Sequence, residues 1–303
     1  MASKHSEELN TLYLGWVAAL KANPEMPLDE LRHMFEKWDS ITGEPGGVDY
    51  IETDAGQVAA MWAAPKNCAQ DRVLLWAHGG GYVVGSMYTH RKTYAHVAKA
   101  TGCRALIVDY RRAPENVHPS PVNDMVRSYK WLLDQGIRPN HVAVIGDSAG
   151  GGLAVTTILR AREQGLPLPA ATMPLSPWLD MEATGETFET NAAKDVIVTR
   201  DLIQGMAGMF LGESGNRQDP LANPLHADLK GFPPIYIQTG ADETLLDDSR
   251  KLADLASKSG VDVTLDIVPE MQHVFQFLAG TAPEGDAAIR RLADWVRPKL
   301  GLV

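Results

Sequence analysis

The chain has 303 residues, of which 45% are apolar and 22% charged, the make-up of a globular protein with a sizeable core. A formal net charge of −10, with no Lys/Arg cluster, argues against a nucleic-acid surface, an anionic membrane or a polyanionic substrate. Cys68 and Cys103 form no CxxC and no disulfide framework, the start MASKHSEELN shows no apolar leader, and no window reaches the roughly 18 apolar residues of a membrane span, so a cytoplasmic location is expected.

The first forty residues carry helical periodicity. Leu9, Leu12, Trp16 and Leu20 recur at steps of three and four, joined by Tyr13 and Val17, and a second stripe runs through Leu28, Leu31, Phe35 and Trp38 after Pro27. From Val48 the period changes to that of two strands around a tight turn at Asp54-Ala55-Gly56. Apolar runs at 73–77, 105–108, 142–145, 171–174, 235–238 and 263–267 then alternate with helical patterns, among them 122–133, 151–162 and 245–257, before a last helix at 284–300. Strand, crossover helix and strand, repeated this often, predict an α/β fold with a mainly parallel sheet covered on both faces. More than fifty residues separate the run ending near Ser176 from that at Ile235, including the helical piece TRDLIQGMAGMFLG. An excursion of that length in a compact sheet protein is usually functional, such as a lid.

Two glycine-rich motifs carry the chemistry. In HVAVIGDSAGGGLA an apolar strand meets Gly146-Asp147-Ser148-Ala149-Gly150 and a helix follows, the context that G-x-S-x-G requires. A serine on such a turn projects its hydroxyl out of the sheet, beside the free amides of a helix N-terminus. Upstream, VLLWAHGGGYVVGS runs from an apolar strand into His78 and three glycines, which are costly in backbone entropy. Acyl transfer explains them, because bare amides must point at the oxyanion, and the Ala149 amide supplies one more. Neither cluster completes G-x-G-x-x-G or a P-loop, so nucleotide binding is not indicated.

A serine nucleophile needs a base, itself held by an acid. Of nine histidines, His273 alone follows the last predicted strand, where the order Ser, acid, His puts the base. The acid should follow the preceding strand, in GADETLLDD, which offers Asp242, Glu243, Asp247 and Asp248; Asp242 comes first after the strand and is the expected acid, with Glu243 its nearest competitor. Met206, Met209 and Phe210 are candidates to limit acyl-chain length, with core packing as the alternative. Neither HExxH nor a Cys/His cluster occurs, so no metal or cofactor is expected.

The blocks HGGGY, DYRRAPE, GDSAGGGLA, SPWLD, NPLHADLKGFPP, GADETLLDD and MQHVF, in that order from about residue 70 onward, resemble the hormone-sensitive-lipase-like esterases of the α/β-hydrolase superfamily, in the branch carrying GDSAG. The resemblance implies an α/β-hydrolase fold and hydrolysis of short- to medium-chain acyl esters without a cofactor. Ser148, Asp242 and His273 match its triad positions, and Gly80, Gly81 and Ala149 its oxyanion-hole amides. It further implies a helical cap built from residues 1–45 and an insertion at 181–220, over a catalytic domain of residues 46–303. Arg112 stands where the family usually has leucine. Lactones, amides and acetylated small molecules are alternative substrates for the same triad, and a non-catalytic small-molecule receptor of the same fold is a more distant alternative. An exposed sheet edge is a place where a homodimer would pair.

Overall fold

The computed structural model describes residues 3–303; Met1 and Ala2, the start of the first expected cap segment, lie outside the described residues. Helices α1 (Glu7–Ala22) and α2 (Leu28–Phe35) are followed by the hairpin β1 (Val48–Asp54) and β2 (Ala59–Pro65). Its turn is closed by Asp54, whose Oδ1 accepts the Gln57 N–H at 2.6 Å, with Gly56 at φ 78°. The chain continues through β3 (Val73–Ala77), α3 (Met87–Thr101), β4 (Arg104–Val108), α4 (Ser120–Asp134), β5 (Val142–Asp147), α5 (Ala149–Glu163) and β6 (Ala171–Leu175). Then come α6 (Thr187–Thr190), α7 (Arg200–Leu211), β7 (Ile235–Gly240), α8 (Leu246–Lys258), β8 (Val263–Val268) and α9 (Pro283–Val296). The helix expected over 284–300 stops at Val296 because Pro298 cannot continue it, and a single 3-10 turn reaches Leu300.

All eight strands form one sheet in the order β1-β2-β4-β3-β5-β6-β7-β8. The β1–β2 and β2–β4 pairs are antiparallel and every other pair is parallel. The central strands read as unbroken apolar runs because both faces are covered. In β3, Leu74 and Trp76 point to the layer that holds α3 and α9, whereas Val73, Leu75 and Ala77 point to the layer of α4, α5 and α8. Alternation thus feeds two cores from one strand.

The helices are delimited by local chemistry. Ser86 caps α3 by accepting the Tyr88 and Thr89 N–H groups, Thr89 returns the bond to the Ser86 N–H, and Gly102 ends the helix in the left-handed region at φ 72°. Among the described residues no helix is long and apolar enough to cross a membrane. The parallel strands β3, β5, β6 and β7 all end on the same side of the sheet, so the loops carrying the glycines, Ser148, Ser176 and Glu243 meet there. The segment leading into α7 is bolted to that edge: Asp195 Oδ2 accepts the Thr244 N–H at 2.8 Å, and Asn191 Nδ2 donates to the carbonyl oxygens of Ala241 and Glu243.

Candidate active site

Ser148 stands between β5 and α5 with φ 54° and ψ −121°, a conformation rarely tolerated by a residue with a side chain and costing on the order of 1–3 kcal/mol. The surroundings leave no alternative. A β-carbon on Gly146 would lie 2.1 Å from the Gly150 carbonyl oxygen, and one on Gly150 would lie 2.1 Å from that of Ala77. The flanking glycines are therefore demanded by backbone approaching backbone, and the turn lifts the serine hydroxyl out of the sheet.

That hydroxyl meets His273. Ser148 Oγ is 2.9 Å from Nε2, and the other ring nitrogen, Nδ1, is 2.9 Å from Glu243 Oε2. With the proton on Nδ1 donated to the carboxylate, Nε2 is left as an acceptor for the serine O–H. Burial works against the imidazolium, but the hydrogen bond and charge of Glu243, with Asp195 and Asp147 behind them, outweigh it and raise the His273 pKa. Glu243 is completely buried and fully engaged: its Oε1 accepts the Ser176 hydroxyl at 2.6 Å, the Thr239 hydroxyl at 3.1 Å and the Gly240 N–H at 2.5 Å.

The acid expected from the sequence, Asp242, is not in this chain of contacts. Its backbone N–H donates to the Met271 carbonyl, and its carboxylate turns outward to Lys194, 3.4 Å away. The turn after β7 takes one residue more than expected, which puts position 243 beneath the imidazole; the longer glutamate side chain then folds back under Gly240. The structure thus sets Glu243, not the expected Asp242, against His273.

The glycine loop follows β3. Gly80 has φ 109° and Gly81 φ 60°, and the Gly80 carbonyl accepts the N–H groups of Val83 and Val84. A β-carbon on Gly80 would strike the Val84 carbonyl oxygen at 2.2 Å. The N–H groups of Gly80, Gly81 and Ala149 take part in none of the turn and loop hydrogen bonds among the described residues. His78 braces the loop: buried, with its ring stacked 4.2 Å from that of Tyr110, it pairs Nδ1 with the Gly79 carbonyl at 2.7 Å, and burial pushes its pKa down to about 3, so it is neutral. Behind Ser148, the buried Asp147 carboxylate takes the Tyr94 hydroxyl and lies 3.3 Å from His90 Nε2.

A narrow cavity of about 40 Å³ opens beside Ser148, lined by Gly80, Gly81, Ser148 and His273 and closed by Phe35 and Trp38 from the N-terminal segment and Leu202, Ile203 and Met206 from α7. Of the three chain-length candidates only Met206 lines it, with its sulfur 1.9 Å from where a Gly81 β-carbon would be. Phe210 stacks on Tyr82 with ring centroids 3.7 Å apart and is 1% exposed, a core residue, and Met209 packs half-buried against the same core. Sequence reasoning does not reach Ser176, Asp195 and Tyr13, whose hydroxyl and carboxyl groups bear on this site from distant segments; of the three only Ser176, within SPWLD, belongs to one of the motif blocks.

The family of α/β-hydrolase-fold proteins matches residues 74–277, which contain the glycine loop, Ser148, Glu243 and His273 but not the N-terminal residues Tyr13, Phe35 and Trp38. A crystal structure of an esterase from the bacterial hormone-sensitive lipase family superposes with a TM-score of 0.95 at 42% identity, covering 99% of this chain and 100% of that one. The chain belongs to the hormone-sensitive-lipase-like esterases of the α/β-hydrolase superfamily. As a member of that family it is a carboxylic ester hydrolase. An acetyl-hydrolase of Streptomyces hygroscopicus is 39% identical over 267 residues, 88% of this chain and 87% of that protein. A carboxylesterase of Mycobacterium tuberculosis is 31% identical over 230 residues, 72% of this chain and 71% of that protein.

Proposed function

We propose that this esterase is a serine carboxylesterase for short- to medium-chain acyl esters of small molecules, with Ser148 as nucleophile, His273 as base and Glu243 as the acid that orients it. The observation that carries the proposal is the unbroken path from Ser148 Oγ to His273 Nε2 and from His273 Nδ1 to Glu243, each step 2.9 Å. His273 takes the Ser148 proton as Oγ attacks the ester carbonyl. The oxyanion is held by the amides of Gly80, Gly81 and Ala149, where a single donor is typically worth about 10²–10³ in turnover. His273 then protonates the leaving alkoxide, and a water activated by the same imidazole releases the acid. Glu243 keeps the imidazole in its Nδ1–H tautomer and stabilises the charge that forms.

Residues 1–45 and 181–220 act as the cap, supported by the contributions of Phe35, Trp38, Ile203 and Met206 to the cavity wall. The small apolar cavity and the similarity to an acetyl-hydrolase favour a short acyl group. Two free cysteines, one of them buried, fit a cytoplasmic enzyme. Hydrolysis of p-nitrophenyl esters from acetyl to palmitoyl tests the reading. Turnover should peak at the short end, and a folded protein that hydrolyses none of them would refute it.

A further inference from the structure

We propose that Tyr13 of α1 is a positioning residue for His273: its hydroxyl, with that of Ser176, fixes the His273–Val274 peptide and thereby aims the imidazole between Glu243 and Ser148. The inference rests on the triad proposed above. Tyr13 Oη donates to the His273 carbonyl at 3.0 Å and accepts from Trp38 Nε1 at 3.4 Å. On the other side of the same peptide the Val274 N–H donates to Ser176 Oγ at 3.2 Å, and the Ser176 hydroxyl donates onward to Glu243. Both polar atoms of one peptide are therefore held by hydroxyls, one from a helix 260 residues away and one from the loop after β6.

The peptide needs holding. Val274 sits in the left-handed region at φ 52° and ψ 44°, where a β-branched residue is an outlier that persists only if its surroundings over-determine it. The 3-10 turn at Phe275–Leu278 engages the Val274 carbonyl through the Phe277 N–H at 3.1 Å, but the two polar atoms of the His273–Val274 peptide itself belong to no helix or strand ladder among the described residues. Tyr13 is fully buried, so its hydroxyl has no water alternative, and a phenylalanine would fill the same space against Trp16. What the hydroxyl adds is the bond to His273. The N-terminal segment on this account does more than cover the site; it completes the alignment of the base.

Tyr13→Phe, made in the full chain, tests this against Tyr129→Phe, which deletes another bond from a buried tyrosine to a carbonyl, that of Pro167 at 2.7 Å, between residues that do not line the cavity. Tyr13→Phe should lower kcat on p-nitrophenyl acetate by about tenfold with KM within about twofold. It should also displace or broaden the downfield proton resonance of His273 Nδ1–H, assigned by its absence from His273→Ala. Tyr129→Phe should lower the melting temperature and leave kcat and the resonance in place. Equal kcat losses in the two variants, an unmoved resonance, or a Tyr13→Phe protein that fails to fold beside a folded Tyr129→Phe would each overturn the proposal. If the wild type has no esterase activity the triad reading fails, and the resonance alone still decides whether Tyr13 holds the imidazole.

Discussion

The turn after β5 and the turn after β7 both deliver a side chain to His273, and they do so under different constraints. At the serine turn every flanking position is fixed by backbone against backbone: a β-carbon at Gly146 or Gly150 would lie 2.1 Å from a carbonyl oxygen. At the acid turn nothing forbids a carboxylate at either of two adjacent positions, and the choice is made by polar contacts reaching in from elsewhere. Glu243 is held by Ser176, Thr239, Gly240 and His273, while Asp242 finds Lys194 near the surface. One turn is specified by excluded volume, between its own backbone and that of β3, the other by a hydrogen-bond network assembled from three segments of the chain.

The comparison is sharpened first at the serine. Ser148→Ala should lower kcat by about 10⁶, as removal of the nucleophile does in serine proteases, without loss of the fold, as circular dichroism would check. Across the cavity, Met206→Ala should move the preferred acyl chain to greater length, with up to about a tenfold change in kcat/KM ratios between neighbouring esters. Phe210→Ala, buried against Tyr82 instead, should cost about 3–5 kcal/mol in denaturant unfolding and leave chain-length preference where it was. A matching shift in preference from Phe210→Ala would mean that the cavity extends past Met206.

The base must be neutral to accept the serine proton, so activity is lost as pH falls through the His273 pKa. Because the charge and hydrogen bond of Glu243 outweigh burial and raise that pKa, the acid limb of kcat/KM should be centred above the ordinary histidine value of about 6.5. Smallest of all, Lys194→Ala should change stability by less than about 1 kcal/mol and leave kcat unaltered, since its partner Asp242 turns away from His273.

The fold was legible wherever periodicity or steric exclusion speaks locally. The alternating runs place the parallel strands to within a residue or two, and G-x-S-x-G with HGGG points to one end of the sheet. What was not legible depended on register. The step from Asp242 to Glu243 is a single residue, and sequence order favoured the nearer one. Phe210 and Met206 lie four apart on one face of α7, yet one stacks on Tyr82 in the core and the other lines the cavity, because one helical turn carries that face past the end of the cavity, an axial placement that periodicity does not fix. Tyr13 read as one more apolar position in a helical stripe; its hydroxyl acquires meaning only once His273 is brought against it.

The most direct test of this account is turnover of p-nitrophenyl acetate by Glu243→Gln beside Asp242→Asn, with both proteins confirmed to be folded. Glu243→Gln should lose about 10⁴ in kcat, by analogy with the acid of the serine proteases, while Asp242→Asn stays near the wild-type rate. Near-full activity in Glu243→Gln together with a collapse in Asp242→Asn would contradict it and return the acid to the position the sequence suggested first.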